Sequence, residues 1–251
     1  MKLALNKLRW VLLISGWICL PTSQAEELRI AVASNFAPVL EQLAADFKVA
    51  SGHTAVLSAG ATGKLYAQIS SGAPFDLFFA ADSEKPMQLV TEKKAVAGTT
   101  YTYALGQLVL WSAMLDLGTH AQATLASADF RHLAIANPKL APYGAAAQQV
   151  LETLQLWEKL QKKLVTGENI AQTLQFIDSG NAELGFIAKA QWLALPVQKR
   201  GTPWQVPAEL HSPITQDAVI LKDSAVARAF MTFMQSAAAR ATIAHAGYAL
   251  P

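Results

Sequence analysis

The sequence predicts a two-lobed α/β fold, each lobe a mainly parallel sheet flanked by helices, with a ligand cleft between the lobes. Three observations predict it. In the first third of the chain, short apolar runs alternate with segments of helical periodicity, the pattern of a doubly wound sheet. A second series of the same kind begins after residue 130. A strand-like run near the C-terminus, Ala218-Val219-Ile220-Leu221, then leads back toward the first series. The predicted division is lobe I over 26–106, completed by 216–251, and lobe II over 107–215. Two crossings between lobes suit a cleft that closes on a ligand.

Residues 1–25 differ in kind from the rest. Lys2, Lys7 and Arg9 form a basic start, Trp10 to Leu20 an apolar stretch, and Ser23-Gln24-Ala25 a small-x-small cleavage site. This predicts a secretory signal peptide cleaved after Ala25, since the apolar stretch is short for a membrane span. The single cysteine, Cys19, leaves with it, so the mature chain has no thiol nucleophile and no disulfide. Three of the 20 Lys and Arg lie in the leader and no acidic residue does, leaving 17 basic against 18 acidic residues. Nothing in that balance points to nucleic acid. With 52% hydrophobic and 15% charged residues, the chain can build a substantial core.

Each element follows in order. Leu28-Arg29-Ile30-Ala31-Val32 reads as the first strand. Ser34 or Asn35 is placed to cap a helix with Pro38 in its first turn, apolar positions Phe36, Leu40, Leu43 and Phe47, and Gly52 at its close. Thr54 to Ser58 reads as a second strand, followed by the turn Gly60-Ala61-Thr62-Gly63-Lys64-Leu65 and a helix to about Gly72. Phe75 to Ala80 is apolar enough for a buried parallel strand, and Asp82 or Ser83 would cap the next helix. Tyr101 to Trp111 is a longer extended stretch. In the second series, Leu133–Ala136, Leu164-Val165 and Leu184–Ile187 read as strands, Ala145–Leu154 and Ile170–Ile177 as helices. Pro196 to Pro213 reads as irregular, and Ala225 to Ala239 as one Ala-rich helix.

Four places resemble one another physically. Ser34-Asn35, Thr62-Gly63, Tyr143-Gly144 and Asn169-Ile170 each sit where a loop enters a helix. A helix N-terminus carries unpaired N–H groups and roughly half a positive charge, so four facing one cleft would suit a dianion without Lys or Arg. Alternatively, each is an ordinary βα turn. The turn around Lys64 is not a nucleotide-binding P-loop, because that motif needs Gly at position 58 and Ser or Thr at 65, where Ser58 and Leu65 stand. Lys64 itself reads as solvated. The five histidines, His53, His120, His132, His211 and His245, lack metal-ligand spacing, and no Gly-x-Ser-x-Gly elbow occurs. Trp157, Trp192 and Trp204 read as packing residues. A chain so poor in candidate catalysts reads as a binder rather than an enzyme.

Five segments in order carry a family resemblance. They are Ala31-Val32-Ala33-Ser34-Asn35-Phe36; Gly60 to Leu65; Gly72-Ala73-Pro74-Phe75-Asp76-Leu77 running to Ala80-Ala81-Asp82; Asn137-Pro138 with Ala141-Pro142-Tyr143-Gly144; and Glu168-Asn169-Ile170. With them the chain resembles the periplasmic molybdate-binding proteins of bacterial ABC transporters. The resemblance implies a type II periplasmic binding fold and no cofactor, the ligand being molybdate or tungstate. It implies an oxyanion held by neutral donors: the Ser34 hydroxyl with nearby N–H, Asn35, the Thr62 hydroxyl and N–H, and the N–H groups of Tyr143 and Ile170. Molybdenum would be held only as the oxyanion, without direct metal-ligating side chains. It further implies a monomer that hands its ligand to a membrane permease with an ATPase. One departure stands out: many members carry a Tyr donor where this chain has Ala188, a role Asn35 could take over. The alternatives are a type II protein for another oxyanion such as sulfate, or an exported hydrolase using Ser34 or Thr62 as nucleophile.

Overall fold

The computed structural model describes residues 25–251; the leader, up to residue 24, lies outside them. The chain runs β1 (Glu27–Ala33), α1 (Ala37–Ser51), β2 (Thr54–Gly60), α2 (Thr62–Ser70), β3 (Leu77–Phe79), α3 (Glu84–Thr91) and β4 (Tyr101–Gly106). It continues with β5 (Leu108–Trp111), α4 (Ala121–Ser127), β6 (Leu133–Ala136), α5 (Pro142–Thr153), α6 (Trp157–Leu160), β7 (Leu164–Gly167), α7 (Ile170–Asp178), β8 (Leu184–Ala188) and α8 (Lys189–Ala194). It ends with β9 (Trp204–Gln205), β10 (Ile214–Ile220), α9 (Ala225–Met234) and α10 (Ala237–His245).

Two five-stranded sheets result, with orders β2-β1-β3-β10-β4 and β7-β6-β8-β5-β9. They share one plan. In the first, β1 pairs parallel with β2 and β3, and β10 lies antiparallel between β3 and β4. In the second, β6 pairs parallel with β7 and β8, and β5 lies antiparallel between β8 and β9. The extended stretch predicted over 101–111 is therefore two strands in two different sheets, parted at Gln107. Returning, the chain rejoins the first sheet at Ile214, which pairs with Gly106.

Both faces of each sheet are covered, as expected for strands without a polar face. In β1, Leu28, Ile30 and Val32 pack with Leu40, Phe47 and Phe230 of α1 and α9, while Ala31 faces Leu65, Ile69 and Leu89 of α2 and α3. In the second sheet Leu133 and Ile135 share a cluster with Val150 and Leu151 of α5, and Ala134 lies opposite with Ile177 of α7. Trp157 and Trp204 pack against one of these clusters and Trp192 against another. The C-terminus hooks back: Ala249 bridges Leu105 of β4 and brings the buried Tyr248 beneath the start of α1.

Two local expectations, for α1 and for the Ala-rich helix, are corrected, and a third, at α3, is narrowed to one of its two candidates. Neither Ser34 nor Asn35 caps α1, because Phe36 occupies that position without a side-chain cap. Its ring is buried against Tyr103, at 4.4 Å between centroids, and edge-on to Tyr248, so core packing sets where the helix starts. Ser83 at the start of α3 makes no side-chain cap bond, whereas Asp82 Oδ1 accepts from the Lys85 N–H at 2.9 Å. The single Ala-rich helix is two, parted at Gln235-Ser236, where Ser236 is extended and its hydroxyl caps α10 through the Ala239 N–H.

Candidate functional site

A small cavity, about 10 Å³ in volume, lies where the two sheets' loops meet. The ends of two strands, the turn that leads into α1 and the starts of α2, α5 and α7 bound it. Ala33, Ser34 and Asn35 enter from the end of β1, and Gly60, Ala61 and Thr62 from the β2–α2 turn. From the other sheet come Ala141, Pro142 and Tyr143 at the start of α5, and Asn169 and Ile170 at the start of α7. Ala81 completes the wall. The structure thus brings together Ser34, Asn35, Thr62, Tyr143 and Ile170, which lie as far as 136 positions apart in sequence.

Their hydrogen bonding leaves donors unused. Among the described residues, no backbone or side-chain acceptor takes the N–H of Asn35, Thr62, Tyr143 or Ile170. Three of these are first-turn N–H groups that no helix can satisfy internally. The Ser34 N–H is spent, donating to Gly60 O at 3.0 Å and tying the ends of β1 and β2 together. Ser34 therefore offers only its hydroxyl, and the unspent N–H of that turn is Asn35's. Thr62 Oγ1 accepts from the Ala81 N–H at 3.0 Å. With that lone pair occupied, the hydroxyl proton is left for an acceptor in the cavity.

The Asn35 side chain faces elsewhere. Its Nδ2 donates to Gln216 Oε1 at 2.9 Å and to Tyr248 Oη at 3.1 Å. It thus does not stand in for the tyrosine donor missing at position 188. Ala188 lies outside the cavity wall, and its N–H donates to Gln191 Oε1. Gln191 Nε2 in turn donates to Ile170 O at 3.0 Å, holding the first residue of α7 from behind. Asn169 fixes the same turn from the front, its Oδ1 accepting from the Ala171 and Gln172 N–H groups.

No lining residue is a histidine or a carboxylate. A Ser-dependent hydrolase needs a general base within reach of its nucleophile, and among the described residues neither the Ser34 nor the Thr62 hydroxyl is hydrogen-bonded to a histidine or carboxylate. The wall is a donor surface: hydroxyl and N–H groups at helix N-termini, built to take hydrogen-bond acceptors that carry negative charge.

At the cavity's edge the lobes touch directly. Gly63 N–H, from α2, donates to Leu140 O, just before α5, at 2.9 Å. Beside it Lys64 Nζ pairs with Glu168 Oε1, bridging α2 and the β7–α7 turn. Lys64, read from sequence as solvated, is half-exposed but committed to this cross-lobe pair. Sequence reasoning had no signal for it, because Glu168 is 104 positions away.

The model of the bacterial extracellular solute-binding protein family matches residues 28–249. The chain belongs to that family. Among relatives of this solute-binding protein, the molybdate-binding protein ModA of Azotobacter vinelandii is 44% identical over 245 residues, 96% of this chain and 97% of the relative. The molybdate-binding protein ModA of Rhodobacter capsulatus is 42% identical over 234 residues, 92% and 91% of the two chains. Among solved structures, the Azotobacter vinelandii periplasmic molybdate-binding protein superposes with a TM-score of 0.85 at 43% identity, covering 89% of this chain and 99% of that one. The two-lobed periplasmic-binding fold expected from sequence is therefore shown. The relatives are named as binding proteins, none of them as an enzyme.

Proposed function

We propose that this protein captures molybdate in the cavity between its lobes and presents it to a membrane permease driven by an ATPase. The carrying observation is the convergence of three helix starts and the β1–α1 turn, with unspent N–H groups and two hydroxyls, on one cavity whose wall has no carboxylate. The named function of relatives at 44% and 42% identity supports the choice of oxyanion. The ligand contacts assigned are Ser34 Oγ, the Asn35 N–H, Thr62 Oγ1 and N–H, and the Tyr143 and Ile170 N–H groups. Tungstate, of the same charge and shape, would be held alike.

The physical argument concerns proton content. Molybdate, tungstate and sulfate are unprotonated near neutral pH and only accept hydrogen bonds, so donors alone suit them. Phosphate retains a proton part of the time and wants a carboxylate acceptor, which the wall lacks. Export by a signal peptide over 1–25, action in the periplasm as a monomer without catalysis, and lobes divided at 106/107 and 215/216 complete the proposal. Calorimetric titration with molybdate, tungstate, sulfate and phosphate tests it. Binding of molybdate and tungstate is expected and phosphate should give no heat. Silence with both molybdate and tungstate refutes the proposal, and tight sulfate binding in their place makes it a sulfate carrier.

A further inference from the structure

Beneath the cavity lies a cluster of buried polar side chains that the donor list does not use. Gln216 of β10 is fully buried and sits where the β10–β4 pairing shifts register. Such an irregularity re-aims a side chain out of the regular ladder. Its Oε1 accepts from Asn35 Nδ2 at 2.9 Å and lies 3.1 Å from Tyr103 Oη. Its Nε2 donates to Tyr143 Oη at 3.1 Å. Tyr248 Oη closes the group, donating to Asn35 O at 2.8 Å. Burial pushes the Tyr103, Tyr143 and Tyr248 phenols up, so all three remain protonated.

The placement of these partners matters more than their number. Asn35 and Tyr143 each expose a backbone N–H to the cavity, one from each lobe. One rigid amide, on the strand where the chain crosses back, holds both residues by their side chains. The space around it is confined: a Cβ on Gly106 would overlap Tyr143 Oη and come within 2.7 Å of Gln216 Nε2. Burying an amide is unfavourable unless every partner is in place, so the cluster tolerates one arrangement and resists others.

We infer that Gln216 is a positioning residue that fixes the separation between the two lobes' donors, and thereby the size of oxyanion the cavity accepts. The inference rests on the oxyanion reading above. Molybdate and sulfate carry the same charge and the same acceptor chemistry, so size is what remains to tell them apart. A spacer of fixed length between the opposed N–H groups supplies that measure.

Two variants test it, Tyr143→Phe and Gln216→Leu, each titrated with molybdate and with sulfate beside the wild type. Tyr143→Phe keeps the backbone donor and removes only the anchor. In both, the ratio of sulfate to molybdate dissociation constants should shrink at least ten-fold, mostly through weaker molybdate binding. Loss of folded protein alone would scale both constants together and leave the ratio unmoved. Folded variants that keep the ratio within two-fold of wild type overturn the inference, as does a wild type that binds both anions equally. If Gln216→Leu does not fold, Tyr143→Phe decides. Should the wild type bind neither anion, the oxyanion reading fails and this inference with it. Should it bind molybdate, with Thr62→Ala weakening that binding while the ratio stays fixed in both variants, only this inference fails.

Discussion

Thr62 shows how one residue does two jobs at the site. Its Oγ1 accepts from Ala81 N–H, which turns the hydroxyl proton toward the cavity, and its own N–H lies free at the start of α2. Thr62→Ala removes the hydroxyl and orphans the buried Ala81 N–H. Titration should show molybdate affinity lower by about 1–2 kcal/mol, the usual worth of one hydrogen bond to a charged group. Thr62→Ser, which keeps the hydroxyl, should recover most of it. Ile170 behaves differently, because only its N–H reaches the cavity while its side chain belongs to the core. Ile170→Val should leave affinity within about two-fold and cost about 1 kcal/mol of stability by thermal melting. The junctions that line the cavity were legible in sequence because loop-to-helix entries are local patterns, though not that they would meet. The fate of the Asn35 side chain was not, since Gln216 and Tyr248 reach it from 181 and 213 positions away.

At the scale of elements, the first turns of α3 and α7 differ in how their caps are built. Asn169 caps α7 with two accepted bonds, and the capped turn carries the Ile170 N–H. Asn169→Ala should lower stability by about 1 kcal/mol, and molybdate affinity should fall with it as that N–H loses its support. Asp82 at the head of α3 is partly desolvated, and burial raises its carboxyl to about 6 from an ordinary 3.8. The folded chain therefore binds this proton more tightly than the unfolded chain. Its contribution is favourable below about pH 4 and is lost as pH rises through about 6. Melting curves from pH 4 to 7 should show Asp82→Asn gaining about 1–2 kcal/mol relative to wild type across that window, less than full burial would give because the group keeps some solvent. The alternation of strands and helices in both series was readable from periodicity, yet α4, α6, α8 and β9 were missed. Each is seven residues or fewer, too short to establish a period. The break before α10 was hidden because Met234 and Gln235 before it and the Ala run after it favour helix, and only Ser236 marks the turn.

For the whole molecule, the contact between lobes is the feature no sequence pattern announced, since it depends on how two separately folded sheets are brought together. It consists of a backbone bond, Gly63 N–H to Leu140 O, beside the half-exposed Lys64–Glu168 pair. Glycine at 63 permits that approach: a Cβ there would stand 3.2 Å from Leu140 Cα and 3.3 Å from its carbonyl oxygen, tighter than most real contacts. Gly63→Ala leaves every proposed ligand donor in place and adds one methyl group between the lobes. If closure holds the oxyanion, that methyl should speed molybdate release by about ten-fold, and small-angle scattering should show a wider molybdate-bound particle than wild type. The ion pair should matter less and differently. Exposed pairs contribute at most about 1 kcal/mol and are screened by salt. Lys64→Gln should thus speed release by roughly two- to three-fold at low ionic strength, and wild type and variant should converge as salt is raised toward about 1 M. A Lys64→Gln effect that persists at high salt would mean that the lysine touches the ligand itself. Equal release from Gly63→Ala and wild type would mean that the lobes close without this contact.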